Sequence, residues 1–228
     1  MSHAGKQSFV FENPPAIAAH VSVAGPREGA GPLGKWFDTV LEDDLLGQKS
    51  WEKAESEMLR QCAQEAVRAS GIPETEIQAF LSGDLNDQII ASGFCARALK
   101  TPFLGLYGAC STFVQGLVLA SALMDGGQLE NALVGASSHF CTAERQFRMP
   151  LEMGTQRTPS AQWTATAAGC AVLRRGAAGG KGLRVTAGTL GRVVDYHIKD
   201  ANHMGAAMAP AVRDCIRAHF ADTGRKMG

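Results

Sequence analysis

Apolar residues recur at helical spacing over residues 51–70, where Trp51, Ala54, Met58, Cys62 and Ala66 fall on one face of a 3.6-residue helix. Ser50 stands where an N-cap belongs, and Gly71 followed by Pro73 stops the pattern. Beyond it the chain shows short apolar runs: QAFLSG at 78–83, FLGLYG at 103–108 and ALVGAS at 132–137. Their length and flanking glycines predict buried strands. Residues 88–99 read as a short helix ended by Pro102. Residues 111–125 are apolar on nearly all sides and are closed by Gly126-Gly127, which predicts a helix almost wholly inside the protein.

Residues 139–163 form a long polar stretch, expected to be a connection, and ATAAGCAVL at 165–173 is expected to be a strand. An alternating pattern at 183–194 predicts a further strand. Residues 203–219 predict an amphipathic helix with Met204, Met208, Ala211, Val212, Cys215 and Ile216 on one side. Pro210 should kink or restart it, because proline donates no hydrogen bond and crowds the preceding turn. Residues 1–50 show neither period. Gly25-Pro26, Gly29, Gly31-Pro32 and Gly34 mark turns there, so this segment reads as an irregular arm packed on the domain. Short apolar strands alternating with helices predict parallel pairing and an α/β layered architecture.

Composition narrows the function. The chain has 228 residues, 45% hydrophobic and 19% charged, enough for one large domain or two small ones with a real core. Lys plus Arg and Asp plus Glu number 22 each. That balance argues against a nucleic-acid footprint and against a polybasic membrane anchor, and near-zero net charge favours association. The most apolar stretch, Phe113 to Met124, is broken by Gln115 and Gly116 and is too short to span a bilayer. The first residues lack a charged start followed by an apolar run, so synthesis in the cytoplasm is expected. The six cysteines, at 62, 95, 110, 141, 170 and 215, form no C-x-x-C pair. Free buried thiols are expected, with no zinc site, other metal or cofactor and no disulfide framework.

Two segments carry candidate chemistry. In FLGLYGACSTFVQGLVLASALMDGG, residues 103–127, a strand ends at Gly108-Ala109 and Cys110 begins a helix. Unpaired amides and the helix dipole at such a start favour negative charge, either a nucleophilic thiolate or a bound carboxylate. A small cysteine that only fills space is the competing reading. SSHFCTAERQFRMPLEMGTQRTPSAQW, residues 137–163, follows a strand and carries His139, Glu144, Arg145, Arg148 and Arg157. Ligands bind at such strand ends in α/β proteins, and arginine pairs with carboxylates through a planar fork. The competing readings are a satisfied structural histidine for His139 and loop-holding ion pairs for Glu144 and Arg145. For Arg148 and Arg157 the bland reading is preferred. Asp84, at the end of another strand, is a third candidate, with a turn-capping aspartate as its rival.

The stretches GKQSFVFENPP, GPREGAGPLGKWFD, FLSGDLNDQ, FLGLYGACST, ASSHFCTAERQFRMPLEMG and GRVVDYHIKDANHMGAAMAP resemble the stage V sporulation protein AD family over nearly the whole chain. The run SSHFCTAERQFR is particular to that family, whereas the Cys110 elbow and the order of elements are shared with thiolase-fold enzymes. The resemblance implies a thiolase-like layered αβαβα fold built of two similar α/β halves. Residues 1–195 would be the N-terminal half and 196–228 the beginning of the second, so either the chain is truncated or the missing half comes from another chain. Cys110 takes the place of the thiolase nucleophile, but those enzymes draw activating histidines, or a histidine and an asparagine, from the second half. A non-enzymatic role is therefore expected, with no catalytic residue. The implied role is binding of dipicolinic acid (pyridine-2,6-dicarboxylate), free or as its calcium complex, for uptake into the developing spore. Ligand contacts are expected from Cys110, Ser111, His139, Arg145 and Asp84. Partners would be other stage V sporulation A membrane proteins, with peripheral placement at the spore inner membrane and a homodimer as a further expectation. A thiolase- or ketoacyl-synthase-like acyltransferase using Cys110 is the alternative, and a structural subunit with an inert site is a third reading.

Overall fold

In the computed structural model, which describes residues 1–147, 163–176, 182–200 and 203–226, the apolar runs pair into one mixed six-stranded sheet. Its order is β4 (Thr39–Val40), β3 (Ala16–Ala24), β8 (Ala167–Arg174), β7 (Asn131–Ser138), β5 (Ala79–Asp84) and β6 (Phe103–Gly105). β5 runs parallel to both β6 and β7, while β8 runs antiparallel to both β7 and β3. The expectation of parallel pairing thus fails at β8. A run buried on both faces is apolar whichever way it points, so pattern alone does not reveal its direction. A smaller antiparallel sheet joins β1 (Ser2–Ala4), β2 (Ser8–Val10) and β9 (Ala187–Thr189).

Helices cover both faces of the large sheet. After the short α1 (Pro26–Gly29), α2 (Trp51–Ser70) starts where the Ser50 hydroxyl accepts the Lys53 amide at 3.4 Å and ends at Gly71, whose φ of 67° suits glycine. Its inner stripe, Met58, Leu59, Cys62, Ala63 and Ala66, packs with α3 (Ile90–Leu99) against Phe80, Leu133, Cys170 and Val172. Burial of each large apolar side chain there contributes about 1.5–3 kcal/mol. α4 (Thr112–Asp125) lies on the opposite face, where Ala120 and Met124 meet Leu81, Val134, Ala171 and Leu173. The result is an α/β/α sandwich around one sheet.

Four further sequence-based expectations, besides parallel pairing at β8 and the break at Pro210, need correction. α4 is only half buried: Thr112, Gly116, Ala120 and Met124 face the sheet, Leu117 and Leu123 are half-buried, and Val114 and Leu119 are exposed. A helix apolar all round does not reveal which side the sheet takes. The stretch 1–50 contains β3, which pairs with β8 from Ala16↔Arg174 to Ala24↔Ala167. Its sequence AIAAHVSVA is rich in alanine and mixes polar positions, so the long-range pairing decides its conformation. The polar connection opens with α5 (Phe140–Phe147), whose Thr142, Ala143 and Glu144 are buried. Of 183–194, only β9 is strand; Leu183 and Val185 instead bond to Ile17 and Pro15.

α6 (Met204–Thr223) continues through Pro210, so no break occurs there. It docks on the small sheet through Asp222, whose carboxylate accepts the amides of Lys6 and Gln7 and the Ser8 hydroxyl. His219 is bonded to the Thr189 hydroxyl beside it at 2.8 Å. Met204, Met208, Val212 and Ile216 remain exposed. Among the described residues, no helix is long and apolar enough to cross a membrane.

Candidate functional site at the Cys110 elbow

Strand alternation divides the candidate residues between two faces. In β5, Phe80 faces α2 while Leu81 faces α4, so Asp84 falls on the α2 side and Gly83 on the α4 side. Gly83 shows how tightly the elbow is seated, since a Cβ there would lie 2.1 Å from the Leu106 carbonyl oxygen. Leu106 donates its amide to Ser82 O at 2.9 Å and is itself buried. The chain then turns out through Gly108 and a 3-10 turn, Ala109–Ser111, into α4.

That turn leaves Cys110 exposed at the mouth of α4. Ala109 holds φ of 44°, left-handed backbone that alanine rarely adopts. The Asp87 carboxylate fixes it by accepting the Ala109 amide at 2.9 Å. Asp87 and Ile89, in the β5–α3 loop, also have positive φ, 55° and 59°. Such outliers persist only where surrounding contacts over-determine them. The amide and hydroxyl of Ser111 both donate to Gly108 O at 2.8 Å, closing the elbow on itself. Asp87 and its bond to Ala109 escaped the sequence reading, because they become neighbours only when β5 and β6 lie side by side.

The other candidates sit elsewhere. Asp84 is buried beside Glu55 of α2, and the Gln88 amide donates to its Oδ1 at 3.1 Å. Burial pushes its carboxyl up, against the pull of the Gln88, Ile89 and Asn86 amides. Glu55 accepts the Ser137 hydroxyl at 2.9 Å and the Thr142 hydroxyl at 3.2 Å. Desolvation, aided by the Asp84 charge, pushes its carboxyl up to about 7. No periodic signal marks Glu55, since it sits on the helix face that pattern assigns to core.

His139 is 1% exposed, with Nδ1 accepting the Cys141 amide at 3.2 Å. Its Nε2 therefore carries the proton and donates to the Asp44 carbonyl at 2.8 Å. Both ring nitrogens are engaged, as in a structural histidine. Arg145 pairs with Glu52 at the start of α2, and Glu144 is buried. Arg148 and Arg157 lie outside the described residues. Only Cys110 and Ser111 are therefore brought together; Asp84, His139 and Arg145 gather on the α2 side. Among the described residues, no three His, Cys, Asp or Glu side chains form a metal-binding set.

The geometry has relatives. Solved structures of Xanthomonas campestris OleA match 96% of this chain: one single-residue variant at 15% identity and TM-score 0.65 over 74% of its length, and another, bound with cerulenin, at 16% and 0.66 over 73%. At that identity they show the fold alone, which is thiolase-like. Stage V sporulation protein AD of Bacillus subtilis (strain 168) is 41% identical over 225 residues, 99% of this chain, and the chain spans 66% of that relative's length. The family model described as stage V sporulation protein AD matches residues 5–228, and the chain belongs to that family of sporulation proteins.

Proposed function

We propose that this protein binds dipicolinate over the Cys110 elbow and serves its movement into the developing spore. The observation that carries the reading is the exposed Cys110 at the mouth of α4, held in a strained turn by Asp87. Backbone amides and the dipole at a helix start favour one carboxylate of a flat dianion. Ser111 adds a polar side chain beside it, and the exposed Cys110 leaves room for the ring above. Membership of a sporulation family supports the setting. On this reading the membrane-embedded partners are other stage V sporulation A proteins, met at the spore inner membrane.

Titration calorimetry with dipicolinate tests it. Cys110→Trp should abolish binding by filling the space, and Cys110→Ala should weaken it modestly because the amides remain. Unchanged affinity in Cys110→Trp sinks the reading. A second reading, acyl transfer through Cys110, is favoured by one observation, the exposed thiol at a helix start in a thiolase-like fold. Intact-mass analysis after incubation with coenzyme A thioesters separates the two, since a Cys110 acyl adduct that turns over belongs to the second alone.

A further inference from the structure

On the α2 side of the sheet, a cavity of about 10 Å³ lies among Glu52, Glu55, Asp84, Asn86, Gln88 and Thr142. That is room for one water-sized sphere. Asp84 is 4% exposed and its Oδ2 has no hydrogen-bond partner; Asn86 Oδ1 is likewise buried without one. The donors around the cavity are used elsewhere. Ser137 and Thr142 give their hydroxyl protons to Glu55 or to His139 O, and the Gln88 amide group donates to Gln146 Oε1 at 2.6 Å. Arg145 is engaged by Glu52. Three carboxylates line the small space, those of Glu52, Glu55 and Asp84; Arg145 neutralises Glu52 and leaves Glu55 and Asp84 with an amide oxygen and a hydroxyl oxygen beside them.

Backbone amides of Gln88, Ile89 and Asn86 serve Asp84, yet its buried Oδ2 is left without a partner or a cation, and such an orphaned charged oxygen is costly. We propose that this cavity binds one hard divalent cation through Glu55 and Asp84, with Asn86 Oδ1 and the Thr142 hydroxyl oxygen as neutral ligands. The charge of the two carboxylates not paired with arginine matches one divalent ion, and the two unpartnered buried atoms, Asp84 Oδ2 and Asn86 Oδ1, are oxygens, the donor hard cations take. An irregular, cramped oxygen set suits calcium better than magnesium, which demands near-octahedral geometry and retains its waters. The bound ion would tie α2, the β5–α3 loop and α5 together at one point. Asp87, between Asn86 and Gln88 in the same loop, holds the Ala109 amide, so the site adjoins the elbow.

The test uses this chain stripped with a chelator and then titrated with calcium or magnesium chloride. Calcium at a hundred-fold excess over its Kd should raise Tm by roughly 5–10 °C, with a smaller effect from magnesium. Asp84→Asn relieves the buried charge and so keeps the fold, but it should abolish the calcium shift; Glu55→Gln should do the same. No calcium shift in the parent chain overturns the proposal and leaves a water or a shared proton in the cavity. An equal shift in the parent and in both variants also overturns it, because the ion then binds elsewhere.

Discussion

Replacing Gly116 by alanine should push α4 away from the sheet. The added Cβ would lie 2.6 Å from Val134 Cγ1 and 3.2 Å from Leu106 Cδ1. Carbon atoms rest about 3.5–4.0 Å apart, so roughly 1 Å must be found. Val134 has no exposure and its branched side chain has few rotamers to escape into. Overpacking of this kind costs about 1–3 kcal/mol, offset by the roughly 0.8–1 kcal/mol that alanine gains over glycine in a helix. The net is about 0–2 kcal/mol of destabilisation, a Tm fall of up to roughly 8 °C for a chain of this size. Val134→Ala removes the methyls that clash, so the double variant should be more stable than the sum of the singles by about 1–2 kcal/mol. Thermal and urea unfolding of the parent, both singles and the double close the cycle. Effects additive within about 0.5 kcal/mol would refute the close seating of α4 on β7.

Other outcomes follow from the same structure. Iodoacetamide should modify the exposed Cys110 first and leave Cys62, Cys95 and Cys170 untouched until the chain unfolds, as peptide mass spectrometry will show; burial pushes the Cys95 thiol up to about 12, which slows it further. Gly83→Ala, which drives a Cβ into the Leu106 carbonyl, should change the alkylation rate of Cys110 as well as lower Tm; an unchanged rate would show the elbow to be uncoupled from β5. His139→Ala should cost about 1–3 kcal/mol by stranding Asp44 O and the Cys141 amide, yet leave dipicolinate affinity unchanged in calorimetry. The Asp222 carboxyl is held below its ordinary value of 3.8, chiefly by the Gln7 amide. Its contribution is therefore present above that pH and lost as the pH falls further, and Asp222→Asn should speed hydrogen exchange at Lys6 and Gln7 at neutral pH.

What the sequence determined by itself is local. The bounds of α2 are legible because Ser50 supplies its cap and Gly71 its left-handed stop, both chemical properties of single residues. The strand–turn–helix elbow at Cys110 is legible for the same reason: an apolar run, a glycine and a second apolar run lie within 25 residues, 103–127. Tertiary structure alone decided the rest. β3 exists because β8 pairs with it from a distance of some 150 residues, as in His20↔Ala171, and alanine-rich sequence carries no trace of that partner. The exposed side of α4 was set by where the sheet lies, not by any polarity of its own. The sequence offers His139 as a ligand contact, whereas the fold gives its two ring nitrogens to the Asp44 carbonyl and the Cys141 amide. Glu55 and Asp84 share a cavity only because a helix and a strand 29 positions apart in the chain close over it. Periodicity records how each segment meets water; which distant side chains meet one another is fixed only when the backbone closes upon itself.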